Sequence, residues 1–196
     1  MPILVRPIIP LVGLLILTGC APAQSTAAPA PTPTVPTCTP LDGGTPFPCT
    51  QADFDSLAEQ RALYDEAEAV VKRFAAEDVR QAADWRLREM TPEFEATTTG
   101  DFRAVVLEII RQDRAEESRR IAGSAGLSWI RPAPKEARDG SLAVLEACLD
   151  TSVETYVTKE SSTPSNGVPV VHTFHLVRDG SQLKISNVES LRVEAC

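Results

Sequence analysis

The run Val170-Val171-His172-Thr173-Phe174-His175-Leu176-Val177-Arg178-Asp179-Gly180-Ser181-Gln182-Leu183-Lys184-Ile185-Ser186-Asn187-Val188 decides the fold class. β-Branched and aromatic residues crowd both halves of it, the side chains that suit a pleated and partly buried surface. Asp179-Gly180 interrupts them where a tight turn needs residues that tolerate positive φ. The pattern predicts an antiparallel hairpin with strands over 168–178 and 182–194. Toward the amino end, segments 127–131, 141–150 and 153–159 show the same richness in Val, Leu, Ile and Thr, and Asn166-Gly167 marks another turn.

The preceding half of the chain has a longer period. Ser56-Leu57-Ala58-Glu59 reads as a capping box, and Leu57, Tyr64, Ala67, Val71 and Phe74 then recur at helical spacing. Thr91-Pro92-Glu93 opens a short helix, with Thr as cap and Pro in the first turn. After Thr99-Gly100-Asp101, a third stripe is formed by Phe102, Val105, Val106, Ile109 and Ile110. It runs into a charged segment, 111–120, that reads as a solvated face, and Gly123 and Gly126 are expected to stop it. Helices first and strands afterwards predict an α+β domain over 53–196, with the helices packed on one face of a curved antiparallel sheet.

Composition narrows the function classes. With 19 Lys+Arg against 27 Asp+Glu, the net charge of −8 opposes binding to a polyanion such as DNA or RNA. The basic residues Arg111, Arg114, Arg119 and Arg120 are interleaved with Asp113, Glu116 and Glu117, so they form no nucleic-acid stripe. The segment 21–37 is almost wholly Ala, Pro, Thr, Ser, Gln and Val. It carries no charge and no aromatic, cannot bury enough apolar surface to order itself, and is expected to be a disordered extended spacer.

Residues 1–19 have one cation, Arg6, followed by an apolar run from Ile8 to Leu17. The run is shorter than the roughly 20 residues of a membrane span and has the make-up of a secretory signal peptide. The five cysteines are an odd number. Cys38 and Cys49 flank a Gly/Pro loop, which makes a local disulfide the economical reading in an oxidising compartment. That leaves Cys148 and Cys196 for a second bridge, although other pairings of these four remain open.

Chemistry is sparse. Glu146 lies in an apolar strand in phase with Leu142, Val144 and Cys148, and would serve as a proton carrier if that face lined a pocket. His172 and His175 are three apart on one strand, point to opposite faces and cannot grip one metal together, so no metal site is expected. His175 is a second candidate proton carrier, with Tyr64 as a polar partner on the first helix. No Gly-x-Ser-x-Gly elbow and no Gly-rich phosphate loop occur, and no cofactor is implied.

Two resemblances add to this reading. Leu17-Thr18-Gly19-Cys20 resembles the lipobox of bacterial lipoproteins, which implies cleavage after Gly19 and acylation of Cys20. The domains would then be a signal peptide (1–19), a lipidated Cys with a spacer and the Cys38–Cys49 loop (20–52), and the α+β body (53–196). The order of elements, with Glu59-Gln60-Arg61-Ala62-Leu63-Tyr64 opening a long helix before the strands, resembles the nuclear transport factor 2-like (SnoaL-like) cone fold. Ser128-Trp129-Ile130-Arg131-Pro132, Glu146-Ala147-Cys148-Leu149-Asp150 and Glu194-Ala195-Cys196 resemble small actinobacterial lipoproteins of unknown function. These resemblances imply a protein anchored to the lipid bilayer through Cys20 on the extracytoplasmic face of the cell membrane. With an uncharged spacer and no converging catalytic group in the sequence, the body is expected to be non-catalytic and to bind a small ligand or an envelope protein. The alternative is an isomerase, cyclase or dehydratase-like enzyme using Glu146 or His175 in a cone pocket. Nothing in the sequence specifies an oligomeric state.

Overall fold

The structure is a computed structural model that describes residues 35–196 apart from Asp139. The expected signal peptide over 1–19, the acylation site Cys20 and the spacer as far as residue 34 lie outside the described residues. Val35–Cys196 is one compact unit, so the Cys38–Cys49 loop, grouped with the spacer on sequence, belongs to the body.

That loop is small and covalently closed. β1 (Thr37–Cys38) pairs antiparallel with β2 (Phe47–Pro48), and the Cys38–Cys49 disulfide closes it. Cys38 is buried, Leu41 packs against the core, and Arg61 Nη2 donates to the Thr39 carbonyl at 2.7 Å. The first helix, α1 (Gln51–Gln81), therefore starts at the disulfide. Thr50 is its N-cap: the hydroxyl accepts from the Asp53 N–H, and the Asp53 carboxylate accepts from the Thr50 N–H, both at 3.2 Å. The box expected at Ser56-Glu59 falls inside the helix, because the same reciprocal satisfaction of end N–H groups is already made one and a half turns earlier.

α2 (Pro92–Thr97) begins as expected, with the Thr91 hydroxyl accepting from the Phe94 N–H. α3 (Gly100–Glu116) ends sooner than the glycines suggest. Glu117 takes the left-handed conformation at φ 53°, and the Ser118 N–H returns to the Asp113 carbonyl at 2.9 Å. This Schellman closure needs no glycine at its pivot. The chain then turns into β3 (Arg119–Ala122). Gly123 follows that strand at φ 72°, where a Cβ would sit 1.8 Å from the Val153 carbonyl oxygen.

The main sheet holds β4 (Gly126–Pro132), β5 (Ala143–Asp150), β8 (Val170–Asp179) and β9 (Gln182–Arg192) in the antiparallel order β4-β5-β8-β9. Gly180 at φ 63° and Ser181 close the β8–β9 hairpin, with Asp179 opposite Gln182. Between β5 and β8 the chain makes β6 (Thr155–Val157) and β7 (Ser165–Asn166); β6 pairs with β3 on one side and β7 on the other in a second, three-stranded sheet. The fold is thus α+β with antiparallel sheets.

Phase within β5 organises the core. Ala143, Leu145 and Ala147 face the helices, joined by Phe174, Leu176, Leu183 and Ile185 from β8 and β9. From the helices come Tyr64, Ala67, Val70 and Val71 of α1, Phe94 of α2, and Phe102, Val106 and Ile110 of α3. Val105 and Ile109, expected in the α3 stripe, are about half exposed. The opposite face of β5 carries Val144, Glu146 and Cys148, and there Cys148 is bridged to Cys196.

Both cysteine pairs match the economical assignment. In the chain-entropy model, the bridge over 48 residues contributes about 4 kcal/mol, compared with about 3 kcal/mol for the one over 11. The Cys148→Ser, Cys196→Ser double variant is expected to lose about 4 kcal/mol in urea titrations at pH 7. A loss no larger than that from opening the short loop would contradict this ranking.

A second clamp is electrostatic. Glu77 accepts two hydrogen bonds from Arg80 (2.8 and 2.7 Å), one from Gln81 Nε2 (2.9 Å) and one from the Thr91 hydroxyl (2.9 Å). Gln81 is fully buried and pairs with the Glu89 backbone through both ends of its amide. Arg80 foremost, with Gln81 and Thr91 behind it, holds the Glu77 carboxyl at about 2 against the opposing effect of burial. A carboxyl lowered on folding stabilises the native state above its unfolded value of 4.5, and that stability is lost as pH falls toward 2. Glu77→Gln is expected to cost up to about 3 kcal/mol at pH 7, and the gap should close on acidification. Urea midpoints for both chains across pH 2–7 measure it; a gap independent of pH would rule the clamp out.

Candidate functional site

A cavity of about 470 Å³ lies between α1, α3 and the inner face of the main sheet. Its walls are largely apolar. Phe74 stands at their centre, with its ring 5.5 Å from Phe94, 5.3 Å from Phe102 and 6.3 Å from Phe174. Val106 and Ile110 of α3 and Leu127, Leu149 and Val188 of the sheet complete the lining, and the half-exposed Val105 and Ile109 stand where the wall meets solvent.

Several polar groups of the lining gather around Asp78, whose charge acts on Asp113, His172 and Tyr156. Arg88, only 8% exposed, donates from Nη1 to Asp78 Oδ1 at 2.7 Å and brings Nε within 2.9 Å of Asp113 Oδ2. Burial pushes the Asp113 carboxyl above its ordinary value; Arg88 pulls against this, while Asp78 and Glu116 add to it. His172 Nδ1 lies 2.8 Å from the Ser190 hydroxyl. Burial lowers the His172 pKa, with the Asp78 charge opposing, so the ring is neutral at pH 7. Tyr156 donates its hydroxyl to Glu154 Oε2, and Glu154, 1% exposed, also takes Arg120 Nη1 at 2.6 Å and the Ala125 N–H at 2.7 Å.

The residues singled out on sequence are not brought together here. Glu146 lies on the outer face of β5, where Arg131 donates to its carboxylate from Nε at 3.0 Å and Nη2 at 2.7 Å. His175 is on the same outer face and buried, with Nδ1 3.3 Å from Ser141 Oγ and Nε2 3.4 Å from Glu189. Burial and the Arg138 charge lower its pKa. Tyr64 is in the core on the helix side, where burial raises its phenol. The cause is the strand period: Leu145 pairs with Phe174 under the helices, so Glu146 and His175 must face away.

His172 therefore enters the cavity in phase with Phe174 and Leu176, as the opposite-faces argument requires. Asp78, Arg88, Tyr156 and Ser190 stand in no motif of the sequence, and Asp113 reads there only as one of the charges interleaved with the basic residues. A signal existed for Asp113, which stands three residues after Ile110 and seven after Val106, on the buried stripe of α3 rather than its solvated side. Arg120 was also read as solvated, yet it pairs with the most deeply buried carboxylate of this region. No group of three or more His, Cys, Asp or Glu suited to a metal occurs among the described residues.

No family model matches the sequence. No curated protein matches it either. Among solved structures, the chain is similar to the intermembrane space region of the chloroplast protein ARC6, at 12% identity and a TM-score of 0.43. The likeness covers 65% of this chain and 95% of that one, and carries no argument about fold or function.

The buried Glu154 group is open to a direct test. Burial first, then Glu154, lifts Tyr156 well above the usual phenol range, and Tyr64 is lifted by burial. These are the only two tyrosines of the chain. Absorbance at the phenolate band should show no more than the one tyrosine, Tyr64, titrating while the chain is folded, with Tyr156 ionising only as the protein unfolds, since a phenol raised on folding destabilises the native state as pH climbs past its unfolded value. Glu154→Gln leaves Arg120 buried without its counter-charge and is expected to cost about 3 kcal/mol or more. Ionisation of both tyrosines in the folded chain near the ordinary phenol value would refute this assignment.

Proposed function

We propose that this chain is a binding module for a small, mainly apolar molecule, held at the outer face of the cell membrane by acylated Cys20. The observation that carries the binding half is the cavity, apolar over most of its wall with a few polar groups gathered around Asp78. Its volume of about 470 Å³ falls in the range of roughly 300–1,000 Å³ typical of small-molecule sites. A cone-type arrangement, with helices closing over one face of an antiparallel sheet, is the architecture that resemblance suggests for such a pocket. The leader and the Leu17-Thr18-Gly19-Cys20 tetrapeptide support the anchoring half. Two acyl chains would hold the chain on a bilayer far more firmly than one.

The enzymatic alternative draws no support from the geometry. Glu146 and His175 face away from the cavity, and Glu146 is engaged by Arg131. Binding is tested with the uncharged fluorophore N-phenyl-1-naphthylamine and the full chain carrying Cys20→Ser, which removes the acylation site. Saturable enhancement of emission is expected. Ile109→Trp and Val106→Trp, which fill the cavity from its edge and its wall, should weaken binding at least tenfold, a change of about 1.4 kcal/mol. Glu146→Gln and His175→Gln should bind as the parent chain does. Equal binding by the filled variants, or none by the parent, would overturn the proposal. Separately, palmitate labelling of the chain should be abolished by Cys20→Ser.

A further inference from the structure

We infer that the cavity selects amphipathic cations, molecules with an alkyl or aryl body and a protonated amine, and that Asp78 and Asp113 face the amine. The inference rests on the binding reading above and names the ligand class. Among the described residues that line the cavity, three are carboxylates (Asp78, Asp101 and Asp113) and one, Arg88, is a cation. Arg88 is already shared between two of those acids: Asp78 through Oδ1 at 2.7 Å and Asp113 through Oδ2 at 2.9 Å. The second oxygen of each carboxylate stands outside that bridge, and two acids against one guanidinium leave the group of three with one formal negative charge.

The surroundings do not reverse this sign. Arg120 and Glu154 compensate each other behind Tyr156. Arg114 directs Nη1 to the Arg88 carbonyl at 3.3 Å rather than into the cavity. His172 is neutral, with Nδ1 on Ser190. Asp78 is felt across the site: its charge acts on Asp113, His172 and Tyr156 alike. Asp101, in the exposed first turn of α3, adds a further negative charge. A fatty acid would place its carboxylate against this field with no unshared cation to meet it. A primary amine instead brings the missing positive charge and three donors for carboxylate oxygens. Apolar walls exclude water from the body of the ligand and keep the head-group interaction less screened than on an open surface.

The test is displacement of N-phenyl-1-naphthylamine from the full chain carrying Cys20→Ser by three twelve-carbon probes: dodecylamine, dodecanol and dodecanoate. The expected order of affinity is amine, alcohol, carboxylate, with the amine at least tenfold tighter than the carboxylate at low salt and the ratio shrinking as salt rises. Asp113→Asn and Asp78→Asn should each reduce that ratio by about threefold or more while the fluorophore still binds. Because these changes disturb Arg88, Asp101→Asn at the exposed rim is the companion variant, and it should lower the ratio by about twofold without loss of folding. If the fluorophore binds and the carboxylate competes as well as the amine, charge selection is overturned and the cavity reading stands. Failure of the fluorophore to bind at all would overturn the cavity reading and this inference with it.

Discussion

Everything in this fold depends on which side of β5 meets α1. Ala67 and Val71 of the helix, and Ala143, Leu145 and Ala147 of the strand, are all essentially inaccessible. Small residues on both partners let helix and sheet approach closely, and close approach maximises the dispersion contacts each buried carbon makes. Once that contact is made, the two-residue period of the strand leaves no freedom. Every odd position of β5 lies under the helices and every even one lies outside, and pairing with β8 passes the choice to His172 and His175. A one-residue slip would exchange the two histidines and put Glu146 into the apolar interior.

That constraint explains what was legible in the sequence. Strand-rich runs, the Asp179-Gly180 turn, the Thr91-Pro92 helix start and the Cys38–Cys49 bridge follow from local chemistry, the Cys148–Cys196 bridge only from the thiols left over, and the structure shows them all. The face of a strand is not local information. Alternation says that Glu146 and Leu145 differ, but only the helices say which is inside. The helix ends were misread for a related reason. Thr50 and Glu117 do work that Ser56-Glu59 and Gly123 are chemically suited to do, and choosing among them requires the disulfide at Cys49 and the return of β3 alongside β6. Charge runs misled as well: Asp113 and Arg120 sit among exposed neighbours in sequence and among buried partners in space.

The cavity is the space the aromatic quartet leaves unfilled. Phe74, Phe94, Phe102 and Phe174 meet at tilted or edge-on angles, the geometry ring quadrupoles favour. Rings set this way stand apart instead of stacking flat, and the polar groups line the space beside them. Removing charged groups from water is costly unless they are paired. Here the pairing is supplied mostly by protein: Arg88 for two aspartates, Arg120 for Glu154. The arrangement leaves the cluster around Arg88 one positive charge short, and that shortfall gives an otherwise greasy chamber its direction.

The outer face carries a different kind of information. Trp129 donates its indole N–H to the Cys196 carbonyl at 3.2 Å, and Arg131 stacks over the same ring at 4.7 Å. The covalent link from Cys196 to Cys148 keeps that carbonyl in place. Indole emission responds to just such neighbours, and this chain has a single other tryptophan, Trp85. The molecule consequently holds a natural optical reporter of its own redox state: severing the sulfur link would free the acceptor, and the ultraviolet emission of Trp129 is expected to shift with it.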